Sequence, residues 1–445
     1  MNSDGALLGI RGHLIDTPER GKVRSVRDGA IVIESGLIAE VGDYDALSRK
    51  PRKQELRWLH SSHVAVFPGL IDLHTHLPQY PVVAKGHLPL LPWLRDHIFP
   101  TERDFTAARA AKESAMFFRT LAHHGTTTAM CYCTSSEAAT EAVFQEAEKS
   151  GQRLILGAMM MDVDVGQGIE LSPLANTLAA SDRLCRKWNG AAKGLIRYAF
   201  SPRFAVCCTE DLMRGAADLA GRHGAFIQTH LSENREELEK VREIFPRAKD
   251  YTDVYHQCGL LTERTMLGHC IHLSDREIGV LSETGSNAAH CPTANLFLQS
   301  GIMPLEQLER RGVRIGLGSD VAAGPELDLW RVMRTTVEVQ RARSFFCEET
   351  SPPLPVDAFY MATRGAAEAL RMAETIGTLD VGMEADLTVV DCSSLVPFRK
   401  GTKALFDLSA EDIISLCVYR GGPHATIETF VRGRSVYRAS EPRLF

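Results

Sequence analysis

Hydrophobic and polar positions change their period twice along the chain. Between residues 6 and 44 the apolar residues come in short runs broken by turns, Ala6 to Ile10 and then Gly29 to Gly42, with Ser35-Gly36 as a hairpin signal. The same strand character returns in Asp386 to Asp391 and Ala425 to Tyr437. Neither end has enough strands to bury both faces alone. The two are therefore expected to join as one small β-sandwich domain, its first part residues 1–65 and its second part residues 376–445.

Residues 66–375 alternate strand and helix instead. A first strand runs through Val64 to Phe67 and on past the Pro68-Gly69 break to His76. Seven further strands are predicted at Thr126 to Tyr132, Arg153 to Met160, Leu195 to Phe200, Ala225 to His230, Thr265 to His269, Ser286 to His290 and Val313 to Asp320. Apolar residues at three- and four-residue spacing predict helices over Thr106 to His123, Ser136 to Glu148, Thr209 to His223 and Arg276 to Glu283. Asp357 to Met372 is Ala-rich and helical. This pattern fits an α/β chain with a (β/α)8 TIM-like barrel, and an open doubly wound sheet is the alternative. Barrel chemistry sits at the C-terminal strand ends, where polar residues recur here in order: His74 and His76, Arg203 and Phe204, His230, His269, His290 and Asp320. The long apolar, Pro-rich connection from Leu77 to Glu102 reads as a wall or lid over a pocket.

Charge narrows the partners. The 50 Lys and Arg against 56 Asp and Glu are interspersed, giving a formal net charge of -6, with no basic block for nucleic acid or a membrane surface. A small-molecule substrate is expected. Eleven cysteines without regular spacing, no leader-like start and no long apolar run favour a soluble cytoplasmic protein with reduced thiols.

Alternate strand residues share a face, so His74 and His76 point the same way and Thr75 points to the other. A lone His-x-His is a weak signal. With His230 it offers three imidazoles, and Asp320 supplies a carboxylate, which is the donor set of an open catalytic metal site. Zinc is the expected cofactor, one per chain, and iron takes similar ligands. Cys131, Cys133 and Cys291 read as packing residues, because the His-x-Glu and Pro-Cys-x-x-Cys signature of cytidine deaminases is absent.

The strings Pro68 to His76, Thr229-His230, Gly268-His269 and Gly318-Ser319-Asp320 resemble the amidohydrolase superfamily over nearly the whole chain. His74 to Tyr80, Leu90 to Leu94, Phe99 to Glu102, Thr229 to Asn234, Tyr251 to Tyr255 and His290 to Asn295 are similar to its guanine-deaminating branch. Ala294 stands where that branch usually has Ser, and His97 where it has Tyr. The resemblance implies hydrolytic deamination of guanine to xanthine by a zinc-activated water, and a homodimer. Binuclear relatives carry a carboxylated Lys at the end of strand four; Leu195 to Pro202 has none, which implies one metal.

Against a purine, Arg203 presents a fork suited to O6 and N7, Gln79 offers donor and acceptor, and Phe204 stacks on the base. Leu77, Pro78 and Trp93 complete the expected pocket, and His290 is a binding candidate or a structural strand end. Glu233 is expected to shuttle protons, Asp320 to take the water's proton and His269 to hydrogen-bond the water or oxyanion. Taken singly, Arg203 reads as a surface ion pair and Glu233 as the start of a solvated helix face. Another aminated heterocycle as substrate, or a non-catalytic binding homologue, are the competing readings.

Overall fold

Eight parallel strands carry the centre of the chain: β1 (Leu70–His76), β2 (Thr126–Tyr132), β3 (Arg153–Gly157), β4 (Ile196–Pro202), β5 (Phe226–Leu231), β6 (Thr265–His269), β7 (Asn287–His290) and β8 (Ile315–Leu317). The computed structural model describes residues 7–60, 64–86, 88–165, 171–347, 351–396 and 408–439. Each strand pairs with the next in sequence order, and Met159–Met160 adds a short strand beside β4. Two main-chain bonds draw the last strand's end onto the first: Asp320 N–H donates to His74 C=O at 2.8 Å and His76 N–H to Val321 C=O at 3.0 Å. This is the (β/α)8 barrel, and the open-sheet alternative falls.

Sequence and structure agree most closely where a cap fixes a helix. Thr106, Ser136, Thr209 and Ser274 each accept a main-chain N–H at the start of helices Ala107–His123, Glu137–Ser150, Glu210–His223 and Asp275–Thr284. The Ala-rich stretch Asp357 to Met372 is not one helix. It divides into Pro355–Met361 and Arg364–Ala369 at Thr363, whose φ and ψ of -130° and -99° are non-helical. The third and last strands are shorter than their apolar runs, because the chain leaves the sheet at Ala158 and at Gly318.

Both termini build one mixed sheet, in the order Arg434–Arg438, Thr426–Val431, Leu387–Val390, Ala65–Pro68, Leu7–Glu19, Lys22–Glu34 and Leu37–Asp43. Leu56–Leu59 pairs in parallel with Leu7–Glu19. A bridge between Leu37 and Glu384 ties the edge strand Leu37–Asp43 to the segment before Leu387–Val390, around an apolar core of its own that includes Ile10, Ile31, Val66, Leu387, Val389 and Phe430. Ala65–Pro68 thus belongs to this sheet, and after Gly69 the chain enters β1.

Arg153, at the start of β3, fastens sheet to barrel. Its guanidinium is buried, donates to Asp386 at 3.1 Å and also pairs with Glu384. A buried ion pair that loses one partner leaves uncompensated charge. Arg153→Ala is therefore expected to cost about 3–5 kcal/mol, read as a lower midpoint of urea denaturation; an unchanged midpoint would show that the pair does not fasten the two parts.

Candidate active site

At the C-terminal end of the barrel, His74 and His76 from β1, His230 from β5 and Asp320 after β8 bring one ligand atom each within 4.8 Å of one another. His76 Nε2 lies 3.1 Å from His230 Nε2, and Asp320 Oδ1 is 3.3 Å from the Nε2 atoms of His74 and His76. The approach needs a glycine on the next wall: a Cβ on Gly268 would fall 2.7 Å from His74 Cε1. Asp72, two residues before His74, accepts from Ser319 N at 3.0 Å and from Ser319 Oγ at 2.6 Å. That clamp joins β1 to the turn carrying Asp320.

The protonation pattern suits a cation. His230 Nδ1 faces the Arg203 carbonyl at 2.6 Å. A carbonyl only accepts, so Nδ1 carries the hydrogen and Nε2 keeps its lone pair for the cluster. Burial lowers the His76 pKa to about 4. Burial, with the neighbouring His74 and His76, lowers that of His230 well below its ordinary value. Burial alone would raise Asp320, but hydrogen bonds from His74 and His76, with charge from His74 and His269, hold it well below the usual carboxylate range. Three imidazoles and one carboxylate converge, with the His230 Nε2 lone pair turned into the group. His74 Nδ1 is buried without a hydrogen-bond partner. The group fits a divalent metal.

Above the cluster a cavity is lined by His76, Gln79, Leu90, Trp93, Leu94, Arg203, Phe204, His230, Glu233, Glu237, His269, Leu298, Asp320 and Ala323. Four short helical turns, Leu77–Val82, Leu90–Trp93, Leu94–Ile98 and Phe99–Arg103, follow β1, and Leu90, Trp93 and Leu94 wall the cavity; Trp93 Nε1–H is fixed on Lys85 C=O at 2.9 Å. Glu233 is buried, accepts from Ser300 Oγ at 3.0 Å and lies 3.3 Å from His269 Nε2. Burial, reinforced by Asp320, pushes its pKa up to about 8, against the Ser300 bond. It is no solvated helix face. Neighbouring Glu237 serves that capping purpose instead, accepting from Glu233 N and Asn234 N. His269 Nδ1 donates to Asn295 Oδ1 at 2.9 Å, which turns Nε2 toward Glu233 and Asp320. Main-chain strain concentrates here: φ is 73° at His269, 47° at Asp320 and 51° at Ser232.

A sequence profile described as the amidohydrolase family matches residues 65–436. The chain belongs to the amidohydrolase family. It is 30% identical over 447 residues to guanine deaminase of Escherichia coli, covering 98% of this chain and 99% of the relative. It is 33% identical over 436 residues to that of Mus musculus, covering 96% and 92%. The crystal structure of guanine deaminase from C. acetobutylicum, with guanine bound in its active site, superposes with a TM-score of 0.88 at 27% identity, covering 97% of this chain and all of that one.

In this amidohydrolase, the cavity collects Gln79, Trp93, Arg203, Phe204, Glu233, His269 and the metal group apart from His74, which lies beneath it. Leu77 and Pro78 are buried behind the wall, outside the lining. So is His290, paired in β7 beside β8, its ring nitrogens without protein partners and its pKa lowered to about 3 by burial. His97 and Ala294 also lie outside the lining.

Sequence reasoning assigned no role to Glu102, Asn295, Ser300 or Tyr255. Glu102 bridges Gln79 and Arg203. Tyr255 Oη–H donates to the His230 carbonyl at 2.7 Å. Glu102, Asn295 and Tyr255 sit in the family-like strings quoted above, which was the available signal; Ser300 had none.

Metal removal gives a direct check. Metal that binds the folded site alone stabilises it by about 2.7 kcal/mol at a free concentration of about 100 Kd. Stripping with a chelator should lower the thermal midpoint, and a divalent cation should restore it for the native chain but not for Asp320→Asn. An equal response from both would remove Asp320 from the metal group.

Proposed function

We propose that the barrel domain, residues 66–375, deaminates guanine hydrolytically to xanthine and ammonia, while the domain built from both termini, residues 1–65 and 376–445 with Ala65–Pro68 paired into its sheet, braces it. The observation that carries this reading is a metal group roofed by a cavity in which polar base-reading residues, Gln79 and Arg203, stand on the same walls as a buried proton carrier, Glu233. The guanine-bound relative of similar fold supports the same substrate.

Zinc is the proposed metal, one per chain, held by His74, His76, His230 and Asp320, and iron suits the same donors. When bound, it lowers the pKa of its water toward about 7 and makes a nucleophile available at neutral pH. Arg203 and Gln79 hold the base by its acceptor atoms, Phe204 and Trp93 pack on its faces, and C2 is turned toward the water. Asp320 Oδ2, which faces His269, receives the water's proton. The water oxygen bonds to C2 as Glu233 gives its proton to the ring nitrogen beside C2; Glu233 then takes the remaining hydroxyl proton and passes it to the amino group, the C2–N bond breaks, ammonia leaves C2 with its new oxo group, and the proton on Asp320 returns to Glu233. A pKa raised to about 8 suits a group that must both hold and release a proton near neutrality. His269 steadies the developing oxyanion. Leu77 and Pro78 back the pocket wall, and His290 supports His269 from behind.

A homodimer and a cytoplasmic setting complete the proposal. Eleven cysteines, all free thiols, suit a reducing compartment, and no helix among the described residues is long and apolar enough to cross a membrane. Light scattering of the purified protein reads the assembly.

The test is ammonia release from guanine, adenine, cytosine and an aminotriazine, with metal content measured on the same sample. Guanine alone is expected to react, at one metal per chain. Release from the triazine and not from guanine would overturn the substrate, and two metals per chain would overturn the site. Glu233→Gln should keep its metal and lose roughly 10²–10⁴-fold in turnover; an active variant would take Glu233 out of the mechanism.

A further inference from the structure

Glu102 lies in the short helix Phe99–Arg103, buried against the cavity wall. Its carboxylate bonds the two residues that read the base: Gln79 Nε2–H donates to Oε1 at 2.9 Å, and Arg203 Nη1–H donates to Oε2 at 2.5 Å. Gln79 Oε1 in turn accepts from Ala322 N–H at 3.4 Å. A carboxylate only accepts and an amide N–H only donates, so the Gln79 side chain has one permitted orientation. One lone pair of the Gln79 oxygen is engaged by the main chain, and the second amide N–H remains for a ligand. Arg203 has nothing but donors. Glu102 also neutralises the buried guanidinium, which Phe99 covers with its ring at 5.0 Å.

We infer that Glu102 is a specificity-positioning residue: it fixes the Gln79 amide and the Arg203 fork as a donor-rich wall that selects a base presenting acceptors there. The inference rests on the purine reading proposed above. For a 2-aminopurine ring, such an edge means an oxo group at C6. Without Glu102 the Gln79 amide is free to turn and Arg203 loses the partner that fixes its plane.

The experiment compares kcat/KM for guanine and for 2-aminopurine, which keeps the reacting amino group and lacks the 6-oxo acceptor, in the native enzyme and in Glu102→Gln and Glu102→Asp. Glu102→Gln should lower the guanine value by about tenfold or more, the scale of one lost charge-assisted contact, and the 2-aminopurine value much less. The preference ratio then narrows. Glu102→Asp keeps the charge beside Arg203 but draws it away from Gln79, and its ratio should fall between the two. A variant in which both substrates lose the same factor assigns Glu102 a merely structural part and overturns the inference. If Glu102→Gln does not fold, Glu102→Asp decides: a native ratio overturns the inference. Native enzyme inactive on guanine would overturn the function itself, an outcome distinct from an active enzyme with an unmoved ratio.

Discussion

One main-chain oxygen holds this site in a single protonation state. The Arg203 carbonyl takes the Nδ1 hydrogen of His230 at 2.6 Å and also faces the hydroxyl of Thr229 at 3.3 Å. With that carbonyl displaced, His230 could carry its hydrogen on Nε2 and close the metal group from inside. Outer contacts of this kind typically change metal affinity by roughly 10–100-fold. The side chain of the same residue is tied to Glu102, so the backbone that sets the ligand and the guanidinium that faces the cavity move together.

The surroundings keep that arrangement from relaxing. Left-handed backbone at His269 and Asp320 costs on the order of 1–3 kcal/mol each, and main-chain bonds such as Asp320 N–H to His74 C=O offset it. Asp72 holds the same turn through Ser319; burial raises its pKa to about 6, against hydrogen bonds from Ser319 and His74 that favour the ionised form. Burial drives imidazoles toward the neutral form, while Asp320 keeps its charge because two histidines face it. The donor set follows from where the residues are buried as much as from what they are.

Much of this was legible in the chain because strand periodicity is local. His74 and His76 share a face by alternation, and His230, His269 and Asp320 fall at predicted strand ends, so the barrel and the metal group could be read together. Partners that meet only in the folded state were not legible in the same way. Glu102 lies 101 residues from Arg203, and Ser300 67 residues from Glu233. No spacing rule links such pairs; they meet because loops above different strands converge. Leu77 and Pro78 lie outside the cavity lining although they follow a ligand in sequence, since a position next to a ligand need not face the cavity. Helix breaks were equally invisible where the departure is conformational, as at Thr363.

The seam of the barrel lies between the first strand and the last, and the metal ligands lie on both sides of it. His74 and His76 are made early in synthesis, Asp320 only after all eight strands have left the ribosome. A chain halted before that point has three of its donors and no carboxylate. The four donors therefore come together only once the circle of strands has shut.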